Sequence, residues 1–262
     1  MPLFQALIFD VDGTLADTEG EGHRPAFNRA FHEAGLDWEW TGELYGELLA
    51  VTGGKERILH YMRHWRPELL DQRDVIDLVT MLHQLKTRHY LDLLSSGAIT
   101  LRPGVHRLLH EAHETGIRLA VATTTTPENV TTLLECAAGP EWLARFEVIA
   151  AGDRGPAKKP APDIFRYVLD QLRLSPRDCL VIEDSAHGVR AAIAAGLRSL
   201  LVTKSPFTQE EDFTGAALVV GSLGGPDEPV PDLPQHLGGP GYIDVSTLEA
   251  LHRQVYGDTL PS

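Results

Sequence analysis

The stretch Ala6-Leu7-Ile8-Phe9-Asp10-Val11-Asp12-Gly13-Thr14-Leu15 constrains this chain more than any other. A continuous apolar run reads as a strand buried on both faces, as in a parallel sheet covered by helices. The strand then delivers two carboxylates at its carboxyl end, where open α/β sheets bind their ligands. Residues i and i+2 of a strand point the same way, roughly 6–7 Å apart at about 3.3 Å per residue. That gap fits a reacting phosphoryl group with one carboxylate on each side. Gly13 lets the chain turn away sharply. The plain alternative is a strand closed by an Asp-Gly turn.

The rest of the chain supplies the sheet this strand needs. From residue 102 the pattern alternates, with helices over 103–115, 127–137, 162–172 and 186–195. Strands fall over 117–123, 147–151, 179–183 and 199–203. Such alternation implies parallel strands joined by right-handed crossovers. The first strand belongs to that sheet, because alone it leaves its backbone unsatisfied. Between them, 24–35, 42–49, 55–65 and 75–94 carry apolar residues at helical spacing. Gly53-Gly54, Arg66-Pro67 and Ser95-Ser96-Gly97 break that run. The expected fold is therefore α/β, a Rossmann-like parallel core of residues 1–18 and 97–262 with an α-helical cap inserted over 19–96. Residues 221–241, rich in Pro and Gly, read as an irregular surface loop, and 246–255 as a short terminal helix.

Composition excludes several classes. A net charge of −14 over 262 residues argues against nucleic acid, which needs a basic face. It also means that any anion site must be built from local cations. No basic, apolar leader precedes the first strand, and no apolar run nears transmembrane length. A cytoplasmic monomer with no membrane partner is expected. Cys136 and Cys179 are the only cysteines, which suits a reducing compartment, and Cys179 reads as a buried thiol.

Three further strand ends carry chemistry. The run Thr123-Thr124-Thr125-Thr126-Pro127 offers hydroxyls and free N–H groups, an anion cradle, although Thr also simply favours strands and caps helices. Lys158-Lys159-Pro160-Ala161-Pro162-Asp163 precedes a helix. The chain holds five lysines against eighteen arginines, so a lysine here suggests a need for a compact point charge. Glu183-Asp184-Ser185 again places adjacent carboxylates at the top of a buried strand. Helix capping accounts for Asp184 or Ser185 but not readily for Glu183 as well. Asp10, Asp12 and Asp184 are the hard oxygen ligands that magnesium prefers. His60 with His64, and His106 with His110 and His113, lack a supporting third-ligand pattern and read as solvated helix faces rather than zinc sites.

The order Asp-x-Asp-Gly-Thr, strand-Thr, Lys-Pro-x-Pro-Asp, Glu-Asp-Ser resembles the haloacid dehalogenase superfamily, and within it the helical-cap phosphatases and phosphomutases. The motifs span Asp10 to Gly188. The resemblance implies that Asp10 is the nucleophile and Asp12 the general acid/base. It implies that Thr123, with Thr124 beside it, binds the transferring phosphoryl and that Lys159 steadies it. The implied cofactor is Mg2+, held by Asp10, the Asp12 carbonyl and Asp184, with Glu183 acting through water. A true dehalogenase needs neither magnesium nor the second Asp, so that branch is disfavoured.

The cap narrows the match. Glu19 to Arg24, Glu43 to Leu49 and Thr52 to Ile58 resemble the CbbY phosphatases. Those remove phosphate from xylulose 1,5-bisphosphate, an inhibitory by-product of Rubisco. The resemblance implies a small sugar phosphate as substrate and a second phosphate site in the cap, with Lys55, Arg57, His23 and Lys86 as candidates. The plain alternative for His23, Arg57 and Lys86 is an exposed helix position. β-Phosphoglucomutase-like enzymes share the motifs and the cap. They usually carry an Arg where this chain has Lys55, and their spacing from nucleophile to cap His is one residue shorter than Asp10 to His23. A non-catalytic binding protein on the same fold is the remaining alternative, and the complete catalytic set disfavours it.

Overall fold

The computed structural model describes residues 3–70, 74–152, 157–231 and 233–257. Its strands are β1 (Ala6–Phe9), β2 (Arg118–Ala122), β3 (Phe146–Ala150), β4 (Cys179–Glu183), β5 (Leu200–Thr203) and β6 (Leu218–Val220). They form one sheet in the order β3-β2-β1-β4-β5-β6, and every pairing is parallel. The strand that opens the chain thus lies between β2 and β4. All four of its residues are fully buried, which is why it reads as continuously apolar rather than alternating.

Ala6 and Ile8 of β1 share a hydrophobic cluster with Ala120, Val181, Leu200 and Val202 of the neighbouring strands. Phe165 and Val168 of α8 (Asp163–Leu172) and Val189 of α9 (Ala186–Ala194) close that face. Leu7 and Phe9 alternate to the other face, as a period of two requires, and are also fully buried. The remaining core helices are α5 (Val105–Glu114), α6 (Pro127–Leu133), α7 (Glu141–Arg145) and α10 (Val245–Tyr256). Thr126, Ser185 and Asp244 cap α6, α9 and α10 with their side chains.

The chain divides into two compact units, Met1–Asp17 with Thr100–Ser262, and Thr18–Ile99. The first junction falls one residue before the expected 18/19 and the second three residues after the expected 96/97. Both offsets have local causes. Ala16 pairs with Leu101 as an antiparallel bridge, which keeps both with the sheet unit. Ile99 is buried, and its Cδ1 lies close over Gly22 in the helical unit.

The helical unit contains α1 (Arg24–Glu33), α2 (Gly42–Leu48), α3 (Gly54–Trp65) and α4 (Val75–Ser95). Phe27, Phe31, Trp40 and Tyr45 form its aromatic centre, with ring centroids 4.5–6.3 Å apart. On α4 the buried stripe runs Val79, Leu82, Lys86, Tyr90, Leu93. A lysine therefore occupies a core position of an amphipathic helix.

Three short elements carry no clear signal in the sequence: β6, α7 and a π-helical turn at Glu19–His23. The helix expected over 127–137 is α6 followed by a second π-helical turn at Leu134–Ala138. The tail expected as a surface loop is tied down at several points. Arg107 donates to the carbonyls of Leu223, Gly224 and Ile243, and Leu223, Val230 and Leu237 are buried. Asp232, within that tail, lies outside the described residues. No helix is long and apolar enough to cross a membrane among the described residues.

Candidate active site

The site is built at the carboxyl ends of adjacent strands. Asp10 follows β1 directly, and its N–H still donates to Ile182 O of β4 at 3.0 Å, so the ladder holds its backbone. Glu183 is the last residue of β4, and Asp184 follows it. One carboxylate oxygen from each of Asp10, Glu183 and Asp184 lies within 4.8 Å of the others. All three residues are buried.

Lys159 reaches into this group from the loop before α8. Its Nζ donates to Asp10 Oδ1 at 2.7 Å, to Ala122 O at 2.9 Å and to Glu183 Oε1 at 2.5 Å. The ammonium also lies 5.0 Å from the Phe165 ring centroid. Lys159 is 6% exposed, whereas Lys158 is only half-buried. The other Glu183 oxygen accepts from the N–H groups of Asp184 and Ser185 and from the Ser185 hydroxyl, at 3.0–3.2 Å. Both Glu183 oxygens are thus engaged. Two glycines make the approach possible. A Cβ on Gly13 would stand 2.0 Å from Asp184 Oδ2, and one on Gly188 would stand 1.9 Å from Glu183 Oε1.

The electrostatics are those of an excess of buried negative charge. Burial pushes the Asp10 carboxyl up to about 8 against the pull of Lys159, with Glu183 adding to the rise. Burial, then Glu183 and Asp10, raise Asp184 well above the carboxylate range. Burial works against the charge of Lys159, but Asp10 and Glu183 outweigh it and hold its pKa above the usual lysine value. Three carboxylates face one ammonium. A divalent cation balances that difference, and magnesium prefers hard carboxylate oxygens with water completing its shell. The donor set therefore fits magnesium.

Asp12 is half-buried and forms a bridge with Ala16. Thr123 is 1% exposed, one residue past the end of β2. Its N–H donates to Ala150 O, and its Oγ1 accepts from the Thr125 N–H at 3.3 Å. Thr124 is half-buried in the same turn. Thr125 Oγ1 accepts from Asn129 Nδ2 at 2.9 Å, so a hydroxyl-lined turn leads into α6.

A family model for haloacid dehalogenase-like hydrolases matches residues 4–196, a span that holds all four strand-end motifs. Protein CbbY (plasmid) of Cupriavidus necator is 48% identical over 250 residues, covering 95% of this chain and 96% of its own length. The chain is a haloacid dehalogenase-like hydrolase of the CbbY type. The crystal structure of CbbY from Rhodobacter sphaeroides in complex with phosphate is 44% identical with a TM-score of 0.76, covering 84% of this chain and 94% of that one. A mutant of that protein (D10N) in complex with xylulose-(1,5)bisphosphate gives a TM-score of 0.74 at the same identity and coverage. The buried carboxylate group and its lysine all lie within the residues that the family model matches.

The helical unit places its four candidates unequally. Lys86 Nζ lies 2.8 Å from His23 Nδ1, and His23 stacks on Tyr90 with centroids 4.0 Å apart. Arg57 Nη1 donates to the Tyr45 hydroxyl at 2.8 Å, and that hydroxyl donates to Glu19. His23, Arg57 and Lys86 are all buried, which rules out the exposed-helix alternative for them. Lys55 is exposed at the start of α3, just after Gly53, whose φ of 102° lies in the region that favours glycine. Tyr45 and Glu19 belong to this network although the sequence does not single out either as a site residue; a tyrosine within a helical apolar pattern reads simply as core.

Proposed function

We propose that this chain is a magnesium-dependent phosphatase that removes one phosphate from xylulose 1,5-bisphosphate through an aspartyl-phosphate on Asp10. The observation that carries the reading is the buried contact of Lys159 with Asp10, inside a group of three carboxylates. A carboxylate is a feeble nucleophile toward an anionic phosphate ester unless cations offset the repulsion. Asp10, the Asp12 carbonyl and Asp184, with Glu183 through water, would hold magnesium, which would supply charge withdrawal from the phosphoryl oxygens. Glu183 suits that indirect role because both its oxygens already have partners.

In the first step an Asp10 oxygen forms a bond to phosphorus and the ester P–O bond breaks. Asp12 gives its proton to the departing alkoxide. Asp12 then takes a proton from water, whose oxygen attacks phosphorus and releases Asp10 and inorganic phosphate. Thr123 and Lys159 bind the phosphoryl oxygens, and Thr124 adds to the cradle. Lys55, Arg57, His23 and Lys86 are the side chains proposed for the second phosphate. Cytoplasmic placement belongs to the same reading, since Cys136 and Cys179 are both free thiols.

The test is phosphate release across a panel of sugar mono- and bisphosphates, with and without magnesium. Xylulose 1,5-bisphosphate is expected to be preferred, chelation to stop turnover, and Asp10→Asn to lower it by more than about a thousandfold. Isomerisation of glucose phosphates without net phosphate release would favour a mutase instead. Magnesium-independent turnover, or an active Asp10→Asn variant, would overturn the chemistry.

A further inference from the structure

One side chain that the proposed chemistry leaves unused is placed against this site. Arg102 Nη1 donates to the carbonyl of Gly13 and, at 2.9 and 3.2 Å, to the carbonyl and hydroxyl of Thr203. Its Nη2 donates to Lys204 O at 2.6 Å and to Gly221 O at 2.7 Å. The Arg102 N–H itself donates to Leu15 O at 2.9 Å. Every guanidinium hydrogen bond among the described residues therefore ends on a main-chain carbonyl or on the Thr203 hydroxyl.

The acceptors come from three places along the sheet's carboxyl edge. Gly13 lies in the turn after β1, Thr203 and Lys204 at the end of β5, and Gly221 just past β6. Strand β4 runs between β1 and β5. The guanidinium thus joins segments on either side of the strand that ends in Glu183 and Asp184. Gly13 is the mechanical link. Its φ is +84°, and its Cα leaves no room for a Cβ beside the Asp184 carboxylate. The residue whose carbonyl Arg102 holds is thus the one whose Cα lies beside the Asp184 carboxylate. The same turn carries Asp12, with Gly13 N–H bonded to Ala16 O and Leu15 N–H to Val11 O.

We propose that Arg102 is a positioning residue for the phosphatase reaction: by fixing the Gly13 carbonyl against the ends of β5 and β6, it sets the Asp12–Gly13 turn and the Asp184 carboxylate in the geometry that binds magnesium. A planar fork suits this task, because its two terminal nitrogens engage different acceptors, one on Thr203 and the other on Lys204 and Gly221, where a lysine brings a single nitrogen. Burial lowers the guanidinium pKa and the Asp184 charge opposes that fall, which agrees with the placement. The inference rests on the proposed phosphatase reading, so its test includes measurements that need no substrate.

Arg102→Gln and Arg102→Lys would be compared with wild type by calorimetric titration of Mg2+, by amide hydrogen exchange at Gly13, Thr14 and Leu15, and by kinetics on p-nitrophenyl phosphate. Circular dichroism would confirm the fold. The expected result is a ten- to hundredfold weaker Mg2+ affinity, the usual range for loss of a group that orients metal ligands. Exchange at those amides should quicken, and kcat should fall while KM at saturating Mg2+ stays close to wild type. Arg102→Lys should remain impaired. Unchanged Mg2+ affinity in folded Arg102→Gln, or full rescue by Arg102→Lys, would overturn the proposal. Loss of the fold in both variants would assign Arg102 to stability alone and overturn it as well. If wild type fails to release phosphate while the Mg2+ and exchange results hold, the functional reading fails and the positioning role stands.

Discussion

Asp12 shows how much a single side chain is asked to do at this site. In the proposed reaction it must be protonated when the alkoxide leaves and ionised when water attacks, whereas Asp10, held by Lys159 at 2.7 Å, only has to remain a nucleophile. Asp12→Asn cannot supply the proton, and general acid/base catalysis contributes roughly a hundred- to ten-thousandfold. We expect turnover of a sugar phosphate to fall by that order, and p-nitrophenyl phosphate, whose leaving group needs little protonation, to lose much less. Steady-state rates on both substrates check this, and equal losses would count against Asp12 as the acid. The carboxylates at 10, 12, 183 and 184 stand out in the sequence because they close apolar strands in pairs, more than a single Asp-Gly turn or helix cap accounts for. Arg102 was not legible, since its partners are backbone carbonyls and carry no sequence signature. The pairing of Lys86 with His23, 63 positions apart, was hidden for a related reason: both sit on buried helix faces, where pattern alone expects apolar residues.

Strand and helix ends, rather than whole elements, hold the functional geometry. Strand β4 has the bounds read from the sequence, because five buried residues are set off by Asp178 on one side and Asp184-Ser185 on the other. The three-residue β6 escaped notice because no helix separates it from β5 and only Val220 of its residues is buried. Helix α9 begins against the Glu183 carboxylate, and Gly188 sits in its first turn at the point of contact. An alanine within a helix ordinarily stabilises by about 1 kcal/mol relative to glycine. Here the added methyl would fall 1.9–2.1 Å from the Glu183 carboxyl atoms, so overpacking, typically about 1–3 kcal/mol, should win. Gly188→Ala is therefore expected to lower the free energy of unfolding in urea. A more stable variant would mean that the contact relaxes freely and that Glu183 is not held rigidly.

At the scale of the molecule, two compact units share one chain, and the side chains proposed for the second phosphate all belong to Thr18–Ile99. A charge-assisted hydrogen bond is worth roughly 1.5–3 kcal/mol, so losing one should cost about ten- to a hundredfold. Lys55→Ala, exposed and outside the unit's core, is expected to lower kcat/KM for xylulose 1,5-bisphosphate by that order and to leave p-nitrophenyl phosphate nearly unaffected. Equal effects on both would remove Lys55 from the second-phosphate group. The sequence shows a change of hydrophobic period near residues 18 and 97, but not the pairing of Ala16 with Leu101, because neither residue belongs to a periodic run. The central claim, that Asp10 accepts the phosphoryl group, is tested most directly by trapping it. Enzyme quenched during turnover would be reduced with borohydride, which converts an aspartyl-phosphate to homoserine, and its peptides sequenced by mass spectrometry. The account predicts homoserine at position 10 and nowhere else, dependent on both substrate and magnesium. Turnover with Asp10 recovered unmodified, or with the label on another residue, would contradict it.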